Sequence, residues 1–380
     1  MSGIDRDLVL GVLERVGSAP TAPYHERYAL DAIEAELRAL GIDATRDRYG
    51  QVGARVARGG AARALVLVAH TDHPGFHVVA ADGREGRVRV SGGFRERTLV
   101  RPIPVLVHDD EGGAPVRATI DGYVRDLDEA ENSPGHARIT ASGPLREGQW
   151  AVPDLPGLEV RGDELHMRAA DDLAGCALAV LTLAALREEA RPHDVHALFT
   201  RAEETGLFGA RLAAEDGGIP RDAYVVSIEA SNAVYAPPGA GIVVRVGDLH
   251  NTFSNEAERY LRVAQERLAA RGIPTQRRLL PGGTCEASAF VRLGWVATAV
   301  ALPNTNYHND GPGGIAPEVV RLTDLVSGIA LLAEAAAAAG EDASESWWPS
   351  ARRVPDGIRT RLTGPSGRSA GERATPKEGT

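Results

Sequence analysis

Short, continuous apolar runs that alternate with helix-like segments constrain the fold of this chain more than any other feature. Residues 64–69 read ALVLVA, and similar runs occupy 195–200, 224–228 and 296–302. A run that is apolar at nearly every position is typical of a strand buried on both faces of a mostly parallel sheet. The alternation of such runs with helices therefore predicts the α/β fold class, with a doubly wound, mostly parallel sheet flanked by helices.

Apolar residues at helical spacing indicate the flanking helices. They cover residues 8–16, 24–40, the run that follows Asp171, 209–214, 256–270 and 317–339. Gly41 should end the second helix, because glycine adopts the left-handed conformation of a helix C-terminus without steric cost.

The pattern of apolar and turn-forming residues changes between residues 76 and 165. Val-rich short segments there are separated by turn signals such as Asp82-Gly83 and Ser142-Gly143-Pro144, which is typical of antiparallel strands. We predict an inserted small β domain at 76–165, acting as a lid or an oligomerisation domain. The two parts of the α/β domain are then residues 1–75 and 166–340.

Residues 341–380 are rich in Ser, Pro, Gly, Arg and Glu. Such a composition cannot bury enough apolar surface to offset the entropy of ordering the chain. We therefore predict a disordered tail, apart from docking of Trp347 and Trp348.

Charge and cysteine content restrict the class of function. The formal net charge is -10 and the pI about 5.6, which argues against nucleic-acid or membrane partners. Residues 1–16 lack the pattern of a signal peptide, and no apolar run approaches the length of a membrane span. The two cysteines, Cys176 and Cys285, are too few for a disulfide framework and fit a cytoplasmic location.

Polar residues with metal-binding side chains follow the strand-like runs. His70 and Asp72 follow the first run, Glu203 and Glu204 the second, Glu229 the third and His308 the last. Ligands of open α/β sheets collect beyond the carboxyl ends of the strands, so these residues are expected to converge.

Each of these residues also has an ordinary structural explanation. His70 would suit a hydrogen-bonded core histidine, Glu229 a helix cap and His308 a solvated loop residue. Asp171 and Asp172 could cap the apolar helix that follows them. The coincidence of all of them in the right element context favours a metal site.

Two histidines, a bridging carboxylate at Asp171 and two further carboxylates form a mixed nitrogen and oxygen ligand set. Such a set suits two divalent metal ions, with Zn²⁺ favoured and Co²⁺ or Mn²⁺ as alternatives. A metal pair can clamp the attacking and leaving oxygens of a hydrolysis. Of two adjacent glutamates, one can bind metal while the other takes the proton of the water, and Asp72 can orient a ligating imidazole.

Four motifs carry a resemblance to a known family. AHTDHPGF at 69–76, ADDLAGC at 170–176, FTRAEETGLFGA at 199–210 and PGGT at 281–284 resemble the signature segments of the co-catalytic dinuclear metallo-aminopeptidases, which include tetrahedral and glutamyl aminopeptidases. The likeness covers about residues 5–338 and implies a zinc-peptidase-like fold. Glu229 stands where that family usually has an aspartate, and Cys285 where it has an acid after Gly-Gly-Thr.

The resemblance implies specific roles for the residues that match the motifs. The implied metal ligands are His70, Asp171, Glu204, Glu229 and His308, with Glu203 as catalytic base and Asp72 as the orienting residue. It also implies a strained, cis peptide between Asp171 and Asp172.

The implied activity is removal of the N-terminal residue of peptides, with a metal-bridging water activated by the Glu203 base, in a large homo-oligomer. The alternatives are a related metal-dependent amidohydrolase, such as a carboxypeptidase or an N-deacylase, and a non-catalytic scaffold of the same fold. The requirement for a free amine separates the first alternative from the aminopeptidase.

Overall fold

The computed structural model describes residues 5–128, 133–346 and 353–363. Two compact units divide the chain after residue 343. In chain order the helices of the first unit are α1 (Arg6–Gly17), α2 (Arg27–Ala39), α3 (Glu96–Leu99), α4 (Ala170–Arg187), α5 (Phe208–Asp216), α6 (Asn255–Ala269), α7 (Glu286–Arg292) and α8 (Leu322–Gly340). The second unit contains α9 (Asp356–Thr363).

Among the described residues, the strands lie in the first unit. They are β1 (Ala44–Arg46), β2 (Val52–Arg58), β3 (Leu65–His70), β4 (Gly75–Asp82), β5 (Glu85–Ser91), β6 (Ile103–His108), β7 (Val116–Asp128), β8 (Ser133–Ala141), β9 (Trp150–Pro153), β10 (Glu159–Arg161), β11 (Glu164–Met167), β12 (His193–Thr200), β13 (Tyr224–Asn232), β14 (Val243–Arg245), β15 (Gln276–Arg278), β16 (Ala297–Asn304), β17 (Asp310–Gly311), β18 (Gly314–Ile315) and β19 (Glu318–Arg321).

One large sheet organises the first unit. Its eight strands follow the order β1-β2-β12-β3-β13-β16-β14-β15. The central strands β12, β3, β13 and β16 run parallel to one another, and antiparallel pairs occur toward both edges. The predicted α/β class with a mostly parallel sheet is confirmed.

Helices cover both faces of this sheet. Along β3, Leu65 and Leu67 point into a core that includes residues of α1, α4, α6 and α8. Val66 and Val68 point the other way, into a second core with residues of α5 and α7. Since successive side chains of a strand face opposite sides, a continuous apolar run is what a doubly covered strand requires.

The segment after β3 forms a closed barrel with the strand order β4-β5-β8-β7-β6-β9. Its interior is a separate apolar cluster that includes Phe76, Val88, Ile103 and Ile139. After the barrel, β10 pairs with β11 and β11 pairs with β19, which gives a small three-stranded sheet. The domain boundaries at 75/76 and 165/166 stay a prediction.

The prediction of a helix at 317–339 is wrong for its first residues. Glu318–Arg321 is strand β19, paired with β11, and the helix begins at Leu322. The adjacent valines 319 and 320 suit a strand, because β-branched side chains pack well on a pleated surface. Sequence patterns also missed the outer strands at both ends of the sheet, which are short or partly exposed: β1, β2, β14 and β15.

Helix α8 is long and apolar enough to cross a membrane, contrary to the expectation that no run approaches that length. In the structure 83% of the 18-residue apolar window of this helix is buried inside the chain, so its composition is accounted for by its place in the core. For the tail, the predicted docking of Trp347 and Trp348 lies outside the described residues. The predicted disorder of 341–380 stays a prediction, with α9 the helix described there.

Candidate active site

Adjacent parallel strands bring the predicted site residues together. His70 is the last residue of β3, and Glu229 lies toward the end of β13. Glu203 and Glu204 follow β12, and His308 lies in the turn after β16. Because parallel strands present their carboxyl ends at one edge of the sheet, these side chains converge as predicted.

Asp171 sits between the two histidines at the start of α4. Its Oδ1 is 3.5 Å from Nε2 of His70, and its Oδ2 is 3.4 Å from Nε2 of His308. One carboxylate oxygen therefore faces each imidazole, as a bridging ligand would. The peptide bond between Asp171 and Asp172 is cis, which confirms that expectation.

The ligand atoms fall into two clusters. His70, Glu203 and Glu229 form one, and Asp171, Glu204 and His308 form the other, with all atoms in each within 4.8 Å of one another. Within them, His70 Nε2 is 3.8 Å from Glu229 Oε2, and His308 Nε2 is 3.3 Å from Glu204 Oε1.

These separations fit shared cations better than direct hydrogen bonds. Two ligands at the usual distance from a tetrahedral zinc ion lie about 3.4 Å apart, whereas a good N–H···O bond spans roughly 2.7–3.2 Å. His308 Nε2 is buried and has no hydrogen-bond partner in the described part of the chain. The donor set therefore fits two divalent cations.

Backbone carbonyl oxygens hold the imidazoles of His70 and His308 in an orientation that suits cation binding. Nδ1 of His70 donates to the carbonyl oxygen of Asp72 at 3.1 Å, and Nδ1 of His308 donates to that of Gly93 at 2.8 Å. With the proton held on Nδ1, the lone pair of Nε2 faces the carboxylates, which is the tautomer a metal-ligating histidine needs.

The centre is strongly acidic. Burial lowers the pKa of His70, but Glu203, Asp171, Asp72 and Glu229 more than offset it, so that the pKa lies well above its usual range. His308 behaves in the same way, with Glu204 and Asp171 raising its pKa against burial. Buried carboxylates are costly unless positive charge compensates them, and divalent cations would supply that charge.

Glu203 has the environment of a general base. Burial raises its pKa well above the usual range, and Glu229, Glu204 and Asp72 add to this while His70 opposes it. Cations bound nearby would lower the pKa again, toward the neutral range in which a base works best. Both Glu203 and Glu204 have an oxygen in a ligand cluster, so their division of roles stays a prediction.

Asp72 contacts both the His70 imidazole and the loop that carries Glu203 and Glu204. Its carboxylate accepts the amide N–H of Glu203 at 2.9 Å on Oδ1 and that of Glu204 at 3.0 Å on Oδ2. The contact to His70 is made by its backbone carbonyl, with Oδ1 further away at 3.7 Å. The predicted orienting residue therefore also fixes the loop that carries the two glutamates.

Glu318 is a site residue that the sequence patterns did not reveal. This fully buried carboxylate accepts the amide N–H of Asp171 at 2.9 Å and that of His308 at 2.7 Å. Asn304 donates to it as well, at 2.9 Å. The available signal was a lone acid directly before an apolar Val-Val pair, at a position assigned to a helix.

The insert also contributes to the site. Besides the Gly93 carbonyl, Phe94 and Arg95 line a cavity of about 470 Å³ that reaches Glu203, Glu204 and His308. Gly282, Gly283 and Thr284, from the predicted PGGT motif, line the same cavity. The space is of the size that small-molecule and peptide sites occupy.

Comparison with known proteins agrees with this geometry. Residues 140–324 match the sequence profile described as M42 glutamyl aminopeptidase. The predicted resemblance to co-catalytic metallo-aminopeptidases is thereby confirmed, and the chain is by class a metal-dependent aminopeptidase, a hydrolase that acts on peptide N-termini.

Solved structures show the same fold over most of this chain. An aminopeptidase from the archaeon Desulfurococcus kamchatkensis is 23% identical, with a TM-score of 0.71, and the match covers 92% of this chain and 99% of that one. The TET1 peptidase of Pyrococcus horikoshii is 21% identical, with a TM-score of 0.71 and coverage of 86% and 99%.

A TET aminopeptidase from a marine sediment archaeon of the Thaumarchaeota is 18% identical, with a TM-score of 0.72 and coverage of 87% and 96%. At these identities the likeness concerns the fold. No curated protein sequence matches this chain.

Proposed function

We propose that this chain removes the N-terminal residue of peptides at a dinuclear metal centre. The observation that carries the proposal is the position of Asp171, whose two oxygens face two separate histidines at 3.5 and 3.4 Å. His70 and Glu229 complete one cation site, and Glu204 and His308 complete the other. When bound, two divalent cations polarise the scissile carbonyl and lower the pKa of water toward neutrality.

Glu203 is proposed to handle the proton. It takes the proton of the attacking water and returns it to the departing amine, which one carboxylate can do in sequence. Its buried position and raised pKa support this role. That the water bridges the two cations stays a prediction.

The acidic centre also favours a substrate with a free N-terminus. Asp171, Glu203, Glu204 and Glu229 are all buried around one space, and an α-ammonium group is attracted by carboxylates that the cations do not fully neutralise. Peptides with an unmodified N-terminus are therefore the proposed substrates.

Zinc is the proposed metal, since two imidazoles and several carboxylates at these separations suit it. Cobalt and manganese accept the same ligands.

The proposed location is the cytoplasm, supported by two buried, unpaired cysteines. Nucleic acid and membranes are not proposed as partners, given the acidic net charge.

A homo-oligomer is the proposed assembly. The Pyrococcus horikoshii TET1 peptidase, which shares this fold, can assemble into a tetrahedron or a large octahedral shell. The strand β7 of the insert exposes Val124 and Leu127 by 62% and 63%, and exposed apolar side chains of this kind suit a contact between subunits.

A substrate panel tests the proposed activity. The purified chain would be assayed with aminoacyl-anilides and their N-acetylated counterparts, with Zn²⁺, Co²⁺ or Mn²⁺ added and with a chelator. Hydrolysis that needs both a metal and a free amine supports the aminopeptidase. Cleavage of only the N-acetylated compounds would indicate the related amidohydrolase, and no metal-dependent cleavage of either series would indicate a non-catalytic scaffold.

A further inference from the structure

Glu26 immediately precedes helix α2, where an acidic side chain would ordinarily cap the free N–H groups of its own helix. Its carboxylate makes no such bond. The residue is nevertheless fully buried, and burying a carboxylate is costly unless charged or polar partners compensate. Its partners therefore indicate what it does.

Two partners of Glu26 lie on the loop that carries Glu203 and Glu204, and the third is the amide N–H of Tyr24, which donates to Oε1 at 2.8 Å. Oε1 accepts the amide N–H of Ala202 at 2.9 Å, and Oε2 accepts Nε of Arg201 at 2.7 Å. The remaining nitrogens of Arg201 donate to the carbonyls of Tyr49 and Tyr24 at 2.8 and 2.9 Å. The start of the loop is thus fixed to the N-terminal part of the chain.

Ala202 needs such support because its φ is 53°. A non-glycine residue in the left-handed region is strained and persists only when its surroundings enforce it. The next two amides, of Glu203 and Glu204, are held by Asp72. Two carboxylates thus hold three successive amide groups, and this turn directs the side chains of Glu203 and Glu204 into the site.

We infer that Glu26 is a positioning residue, which holds Ala202 in its left-handed conformation and so places the base Glu203. The inference rests on the proposed function of Glu203. Glu26 acts through the backbone of residues 201 and 202, so its removal should lower kcat while leaving the binding of substrate and metal largely in place.

Glu26→Ala and Glu26→Gln test the inference, with Glu36→Ala as the matched control. Glu36 is on the same helix, is 5% exposed and is paired with Arg15, but its partner belongs to α1. We expect Glu26→Ala to lower kcat by about 10-fold or more, since small displacements of catalytic groups are costly. KM should stay within about twofold and metal content near that of the wild type.

Glu26→Gln keeps one acceptor oxygen for the amide of Ala202, so it should lower kcat by less than Glu26→Ala does. Glu36→Ala should lower the melting temperature with kcat unchanged. If the loss arises from strain at residue 202, Ala202→Gly should recover part of kcat in the Glu26→Ala background, because glycine adopts positive φ readily. Recovery is judged against Ala202→Gly alone.

A kcat within twofold of the wild type in both Glu26 variants would overturn the inference, as would an equal loss in Glu36→Ala. If Glu26→Ala does not fold, the comparison of Glu26→Gln with Glu36→Gln decides by the same criterion. An inactive wild-type chain would contradict the proposed function, and this inference would fall with it; an active wild type with unaffected variants contradicts only the role of Glu26.

Discussion

Glu318 is a single buried carboxylate that accepts hydrogen bonds from two separate loops of the site. It accepts the backbone N–H groups of Asp171 and His308, two residues that lie far apart in the sequence. His308 has a φ of 56°, in the left-handed region, so its backbone depends on this support. Glu318 thereby holds the backbone of Asp171 close to that of His308.

Replacing Glu318 by Ala should therefore weaken metal binding without removing a ligand. We expect the affinity for the cation nearest His308 to fall by about 10–100-fold, the usual effect of losing a residue that orients ligands. Metal titration of the apo protein measures it. Glu334→Ala is the control, since that buried carboxylate pairs with Arg191 and Arg267; an equal loss there would contradict the role of Glu318.

At the scale of residues, the sequence predicted side chains that converge in the structure but not the contacts that hold them in place. His70, Glu229 and His308 could be predicted because each follows an apolar run, and strand ends converge by topology. Glu318 and the carboxylate contacts of Asp72 depend on backbone amides brought together by folding, and no periodicity in the sequence encodes such contacts.

Between elements, the barrel and the α/β part meet at Gly93. Its carbonyl accepts from His308, and a Cβ placed at residue 93 would lie 2.4 Å from Cε1 of that imidazole. Only glycine fits while His308 keeps its position. The insert therefore contributes directly to the geometry of the site.

Gly93→Ala should displace the imidazole of His308. We expect fewer bound cations per chain and a loss of activity, because a ligand moved by an ångström no longer matches the required geometry. Elemental analysis beside kcat/KM tests this. Gly60→Ala, where a Cβ would meet nothing within 4 Å, should behave as wild type, and full metal content in Gly93→Ala would refute the proposed contact.

The sequence predicted the long central elements well and the short ones poorly. The core strands β3, β12, β13 and β16 are buried along most of their length, so their apolar runs were visible. β19 was mistaken for part of a helix because its four residues merge with the apolar pattern of α8. Edge strands such as β1, with three residues and no buried position, leave no periodic signal.

At the scale of the whole molecule, the acidic centre links metal binding to stability. Its buried carboxylates repel one another unless cations are present. We expect removal of metal by a chelator to lower the melting temperature by several degrees, because a ligand at 100 times its Kd stabilises the folded state by about 2.7 kcal/mol. Zn²⁺ should restore it, and an unchanged melting temperature would count against a metal site.

The proposed assembly makes a separate prediction. Light scattering of the full chain should give a mass that is a multiple of 40.1 kDa. Replacing the exposed Val124 and Leu127 by Arg should reduce that mass if the barrel forms the subunit contact, whereas Val326→Arg on α8, 37% exposed, should not. A wild-type particle of 40 kDa would contradict the assembly.

Glu203 and Glu204 are proposed to have different roles, Glu203 as the base and Glu204 as a metal ligand. Glu203→Gln preserves shape while removing the base, so kcat should fall by about 10²–10⁴-fold with metal content near two ions per chain. Glu204→Gln should lose metal and activity together. Measuring kcat and metal stoichiometry on both variants separates these outcomes: loss of metal in Glu203→Gln with retention in Glu204→Gln would reverse the two roles, and a fully active Glu203→Gln would contradict the mechanism.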